Sequence, residues 1–288
     1  MLSAWMRAAV VAALSFSSPL LLAQSKPAKS ETYKDIIEKA YNLSLQKDRQ
    51  QALNILANAI KKESRTPAVS ELKKAVNDIG HVFFSDKAQQ LYETSVSMRK
   101  SDPTQALAKM NEALRIEPDN FDILNETARL MIAKGDCAGA AELVQKELKV
   151  INFDEELNLT LAQAYACQSK WTEYQMLFEI HGPKKSSLAK YWYPLEIERF
   201  LSLKNTVKAQ ESLASLRKLD PKYPEAPYWQ WRIDQALQKK NRDEALKYVM
   251  SCKNISANQY RQYMMDPALC RRVTEFDGEL KGMNGSAE

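Results

Sequence analysis

The sequence predicts an all-α protein built as a stack of antiparallel helix pairs, and three observations carry that prediction. Ala106, Ala140, Tyr174, Ala209 and Ala245 stand 34, 34, 35 and 36 positions apart, and each opens the same local pattern. Four positions after each comes a bulky apolar residue, namely Met110, Val144, Phe178, Leu213 and Val249, one helical turn further along the same face. Seven Gly and eleven Pro in 288 residues leave little for the turns of a sheet protein or for Gly-rich phosphate loops. A period near 34 residues is the length of one helix-turn-helix unit, which cannot bury its apolar face alone and must stack on copies of itself.

Taken in order, the chain opens with a segment of a different kind. Arg7 precedes an apolar run from Ala8 to Leu22, followed by Ala23 and the polar stretch Gln24-Ser25-Lys26-Pro27. That charged, apolar and cleavable layout is the layout of a secretory signal peptide over residues 1–23, with a disordered linker over 24–30. Residues 31–66 read as a first helix pair, with Leu43, Asp48, Ala52, Leu56 and Ala59 in the repeat positions. Ala88, Tyr92 and Ser95 repeat the second-helix pattern only 18 residues before Ala106, half a period, so an extra helix is expected over residues 67–86. The array itself occupies 87–259. Its first helices show in Leu124, Thr127, Ala128 and Met131, then Leu161, Ala162 and Tyr165, then Trp229, Ile233 and Ala236. Polar turns, Lys134-Gly135-Asp136 and Lys240-Asn241, supply an Asp or Asn to cap the next helix. Pro118 and Pro221 close two of the second helices. Capping helices are expected over 260–282, including one from Ala268 to Lys281, and a disordered tail over 283–288.

At Leu161-Ala162 with Tyr165, at Trp229, and at Ala106, Met110, Ala113 and Pro118, the chain resembles the tetratricopeptide repeat (TPR) family. The motif is spread over different copies, and Glu147, Tyr174 and His181 depart from it. The resemblance implies a right-handed superhelical solenoid whose first helices line a concave, partner-binding groove. The outward positions of those helices are then Asn125, Arg129, Ile132, Leu159, Gln163, Tyr191, Glu198, Trp231 and Asp234. The aromatic concentration at Tyr191-Trp192-Tyr193 and Tyr228-Trp229-Trp231 adds to this reading, since Tyr and Trp dominate binding hot spots. Trp229 holds a core register position and Trp231 a groove position.

Export gives the four cysteines a meaning, because an oxidising compartment favours disulfides. Four cysteines allow three pairings. Repeat geometry puts Cys137, at the start of one second helix, at the same end of the stack as Cys167, at the end of the next first helix. Cys252 and Cys270 would then staple the C-terminal cap to the last repeat. Loops of these lengths contribute on the order of 3 kcal/mol each in the chain-entropy model.

Catalytic chemistry is not visible. The two histidines, His81 and His181, lack partners at metal-ligand spacing, and acidic pairs such as Glu155-Glu156 and Glu196 with Glu198 read as solvated helix charges. No cofactor is implied. A net charge of +5 is dispersed, with small groups at Lys184-Lys185, Lys239-Lys240 and Arg271-Arg272, unlike the concentrated patch of a nucleic-acid binder. The sequence therefore points to an exported, periplasmic, non-enzymatic scaffold that binds a protein or peptide of the bacterial cell envelope and assists assembly of a complex. The alternative is a superhelical wall-acting enzyme with a divergent site.

Overall fold

The structure is a computed structural model and describes residues 31–239, 241–274 and 276. The expected signal peptide, the linker, the end of the expected closing helix and the tail lie outside the described residues. The compact unit that begins at Tyr33 contains fourteen helices and no strand among the described residues. They are α1 (Tyr33–Leu45), α2 (Arg49–Lys62), α3 (Thr66–His81), α4 (Asp86–Met98), α5 (Pro103–Ile116), α6 (Phe121–Ala133) and α7 (Cys137–Leu148). There follow α8 (Glu155–Cys167), α9 (Trp171–His181), α10 (Ala189–Ser202), α11 (Thr206–Leu219), α12 (Ala226–Ala236), α13 (Arg242–Lys253) and α14 (Ala257–Gln262).

Short polar residues start these helices. Asp48, Ser85, Asp102, Asn120, Asp136, Asp154, Asn205, Asn241 and Ser256 each accept a hydrogen bond from the backbone N–H three residues on, which satisfies one of the orphan donors of the first turn. Inside each pair the turn repeats even where its residues do not. The N–H of Asp48, Asp136, Lys170, Asn205 and Lys239 reaches back five residues to the carbonyl of Leu43, Met131, Tyr165, Phe200 and Asp234. The residue immediately before each donor sits with positive φ: Lys47, Gly135, Ser169, Lys204 and Gln238. This is the left-handed helix stop that closes a last turn by satisfying its free carbonyls.

Packing follows the period. The marker residues Ala106, Ala140, Tyr174, Ala209 and Ala245 are all buried in α5, α7, α9, α11 and α13. Helices α6, α8, α10 and α12 pack on one another in succession, whereas the second helices of successive pairs touch mainly first helices. The first helices therefore form a continuous layer. One large core, rich in aromatic residues such as Tyr174, Trp192, Tyr223 and Tyr248, serves the C-terminal pairs, and a second joins α1–α3 to α6–α8.

The phase slip also has a structural form. Helix α3 occupies the stretch between the two repeat blocks and packs on α1, α2 and α6, while α4 and α5 form a tight hairpin that joins the stack through α5. A small third core, Ala88, Ala106, Met110, Ala113, Ile123 and Leu130, lies under that hairpin. Where α3 meets α6, a Cβ on Gly80 would stand 2.4 Å from the Phe121 ring, so glycine permits the close approach. Arg49 secures the same corner. It is 1% exposed, donates to the Ile79 carbonyl and pairs with Glu117 and Asp119 at 2.8 Å each.

Cys137 is bonded to Cys167 and Cys252 to Cys270, with Cα–Cα separations of 6.1 and 5.3 Å. The second bridge ties α13 to a segment that is not the expected helix. Residues 267–272 are turns, and helix within the expected span begins only at Val273, because the N–H groups of Cys270 and Arg272 are taken up by Glu225 and Tyr248 of the array.

Candidate binding groove

Helices α6, α8, α10 and α12 form one layer, and the segment 262–272, here the strap, lies across it. Side chains of the array hold the strap by its main chain. Arg99 donates to the carbonyls of Met264 and Asp266 at 2.6 and 3.1 Å, Gln163 to that of Met265 at 2.7 Å, and the Tyr191 hydroxyl to that of Gln262 at 2.7 Å. The Tyr223 hydroxyl donates to the Asp266 carboxylate at 2.7 Å, and Tyr263 of the strap donates to Asp220 at 3.3 Å. At the far end the Cys270 N–H donates to Glu225 at 2.6 Å, next to the Cys252–Cys270 bridge. A buried carbonyl without a donor costs about as much as a lost hydrogen bond. The donors of the array remove that cost and fix the strap's path.

The strap explains where the expected groove residues lie. Gln163 and Tyr191 are buried beneath it and hold it directly. Arg129 is buried too, its Nε donating to Glu126 at 3.2 Å and its Nη1 standing 3.7 Å from Glu156. Asn125 is buried and accepts from the Thr160 hydroxyl at 2.8 Å, which links α6 to α8. Trp231 packs edge-on against Phe276, with ring centroids 4.5 Å apart. Ile132 and Glu198 remain at an open surface. Two positions face elsewhere. Leu159 belongs to the core, because α8 is enclosed by helices on both sides and offers few free positions. Asp234 accepts from Asn241 at 2.6 Å and so secures the turn between α12 and α13.

Between the strap and α8, α10 and α12 a cavity of about 410 Å³ stays open. Its apolar walls include Trp171, Leu195 and Pro267, and its rim carries Glu198 and Arg232, 3.3 Å apart and each about one third exposed (35% and 33%). Pro194, inside α10, also lines it. Lacking an N–H, Pro194 leaves the helix one bond short where the cavity opens.

Charge is concentrated beneath the strap. Arg99 and Arg129 share the fully buried Glu126. Glu225 is 1% exposed, and burial first, then the Asp266 charge, raise it to about 8 against the opposing pull of the Cys270 N–H and Arg272. On another flank the His81 Nδ1 donates to the Asp122 carboxylate at 2.8 Å. Burial disfavours its charge, yet the hydrogen bonds to Asp122 and Asp154 prevail and raise it to about 10. Among the described residues, the grouping with metal-ligating atoms in reach of one another is Glu225, Cys252 and Cys270. Its sulfurs are bonded to each other, so one carboxylate remains to donate.

Arg99, Glu126, Tyr223, Glu225 and Asp266 carry much of this arrangement and were missed in the sequence. Repeat phase marks faces of helices and says nothing about a segment beyond the last repeat. The available signal was the cysteine pair, since a bridge from Cys252 to Cys270 obliges the chain between them to fold back.

No family model and no curated protein matches the sequence. Among solved structures, the chain is similar to a tetratricopeptide repeat protein from Parabacteroides merdae ATCC 43184, at 17% identity over 89% of this chain and 93% of that one, with a TM-score of 0.40.

Proposed function

We propose that the chain is a non-enzymatic interaction scaffold of the bacterial cell envelope, which holds a protein or peptide partner at its concave face during assembly of a larger complex. The observation that carries this reading is the face itself. The end of α4 and helices α8 and α10 place a guanidinium, an amide and an aromatic hydroxyl along one surface, and those side chains already hold a length of polypeptide by its carbonyls. The apolar-walled cavity with a charged rim beside it has the make-up of a recognition site. Two disulfides suit an oxidising compartment, and the Arg7 to Ala23 layout suits export to it. No helix among the described residues is long and apolar enough to cross a membrane.

Photo-crosslinking in living cells tests the reading. A crosslinker placed at Ile132 or Glu198, on the open part of the concave face, is expected to trap a discrete envelope protein. One placed at Met176, which is 56% exposed on α9 of the opposite layer, is not. Equal labelling at all three positions, or none at any, removes the support for a concave-face partner.

A further inference from the structure

The strap is held in the manner of a bound peptide, and this has a consequence for what the groove recognises. Four consecutive or near-consecutive groups of the strap are read, namely the carbonyls of Gln262, Met264, Met265 and Asp266, and one side chain is read, the Asp266 carboxylate by Tyr223. The donors come from four different helix pairs or their junctions, Arg99 after α4, Gln163 in α8, Tyr191 in α10 and Tyr223 before α12. The gripped carbonyls sit where α14 ends at Gln262 and the chain turns through Tyr263 to Met265, with Asp266 N–H bonded back to the Tyr263 carbonyl. A surface that spans the array to grip them is a reader of polypeptide folded into a helix end and turn, with a place for one acidic side chain.

The strap also leaves part of that surface unsatisfied. Gln163 donates through Nε2 to the strap, but its Oε1 has no hydrogen-bond partner. The side chain is more than nine-tenths buried, at 4% exposure. Buried polar atoms are normally paired, and each exception asks for a reason. A side-chain amide beside a peptide group can both donate to a carbonyl and accept from an N–H. With the strap, Gln163 completes half of that pairing.

We propose that the strap is a tethered stand-in for the groove's outside ligand, a peptide that takes up the strap's turn and bears an acidic residue at the place of Asp266, and that this ligand binds by displacing the strap. The proposal rests on the concave-face reading above and names the chemistry of the partner at that face. The Cys252–Cys270 bridge keeps the strap at high effective concentration, so an outside peptide gains access most readily when the bridge is absent.

The probe is a fluorescent synthetic peptide copying residues 260–269, alongside a second peptide with Ala in place of the aspartate. Its binding is measured by anisotropy to three forms of the mature chain: unchanged, Cys252→Ser/Cys270→Ser/Asp266→Ala, and Asp266→Asn with both bridges intact. The triple variant, in which the strap is loosened in cis, is expected to bind the first peptide at least about tenfold more tightly than the unchanged chain. The Asp266→Asn chain should show a smaller gain, and the Ala-containing peptide should lose binding in both. Circular dichroism reports whether each variant retains its helices; if the triple variant does not, the Asp266→Asn chain decides alone. Absence of any gain in a folded variant, or equal binding of the two peptides, overturns the proposal. If crosslinks still form at Glu198 in that event, the scaffold reading stands and the tethered-ligand proposal alone falls.

Discussion

Glu225 ties the chemistry of a single side chain to the seating of the strap. It is buried, accepts from the Cys270 N–H and stands 3.7 Å from Arg272. Its carboxyl titrates at about 8 in the folded chain, against 4.5 as the ordinary value, because burial and then the Asp266 charge oppose ionisation. A folded value raised above the unfolded one means that this group's contribution to stability is complete below the ordinary value and is lost as pH rises through about 8. Raising the pH from about 5 to about 9 is therefore expected to lower the melting temperature and to speed hydrogen exchange in the strap. Glu225→Gln, which keeps an acceptor for the Cys270 N–H, should flatten both dependences; a pH profile unchanged by that substitution would refute the assignment. Nothing in the sequence marked this residue. Glu225 looks like one more helix-terminal acid until the chain beyond Tyr263 is seen to fold over it.

At the scale of the element, the helices were legible and their turns were not. Period and apolar spacing located α5, α7, α9, α11 and α13 through their buried markers, and Asp136 and Asn241 were identifiable as caps. The left-handed stop inside the pairs was hidden, because only one of its five positions, Gly135, carries the residue that adopts positive φ without strain. Lys47, Ser169, Lys204 and Gln238 hold the same conformation against a steric penalty of about 1 kcal/mol or more. Lys204 is exposed, so replacing it removes little packing. Lys204→Gly is expected to stabilise the chain by about 0.5–1 kcal/mol, the relief of strain exceeding the added freedom of the unfolded chain. Chemical denaturation measures the effect, and a loss of stability would show that the lysine side chain contributes more than its backbone costs. The groove was legible in part for a related reason. Phase put Gln163 and Tyr191 on the side where the strap lies, but it put Leu159 and Asp234 there too, since enclosure of α8 and capping of a turn depend on neighbours that a single-helix pattern does not contain.

Across the whole molecule, a stack of repeats is held by contacts between neighbours, so its weakest joint sets where it opens. The joint between the first block and the main array runs through the core that α1–α3 share with α6–α8. Its closest approach is α3 against α6, with Gly80 on Phe121 and Arg49 bridging to Glu117 and Asp119. Gly80→Ala would drive a methyl group into a ring with 0% exposure. A net loss of about 1–3 kcal/mol is expected, despite the better helix propensity of alanine. Hydrogen exchange should quicken in α1–α3 before it does in α8–α13, and a uniform change along the chain would contradict a separable joint. The strap acts in the opposite sense. Its bond from Arg99 to Met264 spans 165 residues of chain, in a molecule whose other contacts are mostly between adjacent helices. Such a contact carries a large loop-closure cost and forms late. The surface beneath the strap is thus completed first and covered last, which gives the folding of this chain a direction in time and a final step separate from the assembly of its repeats.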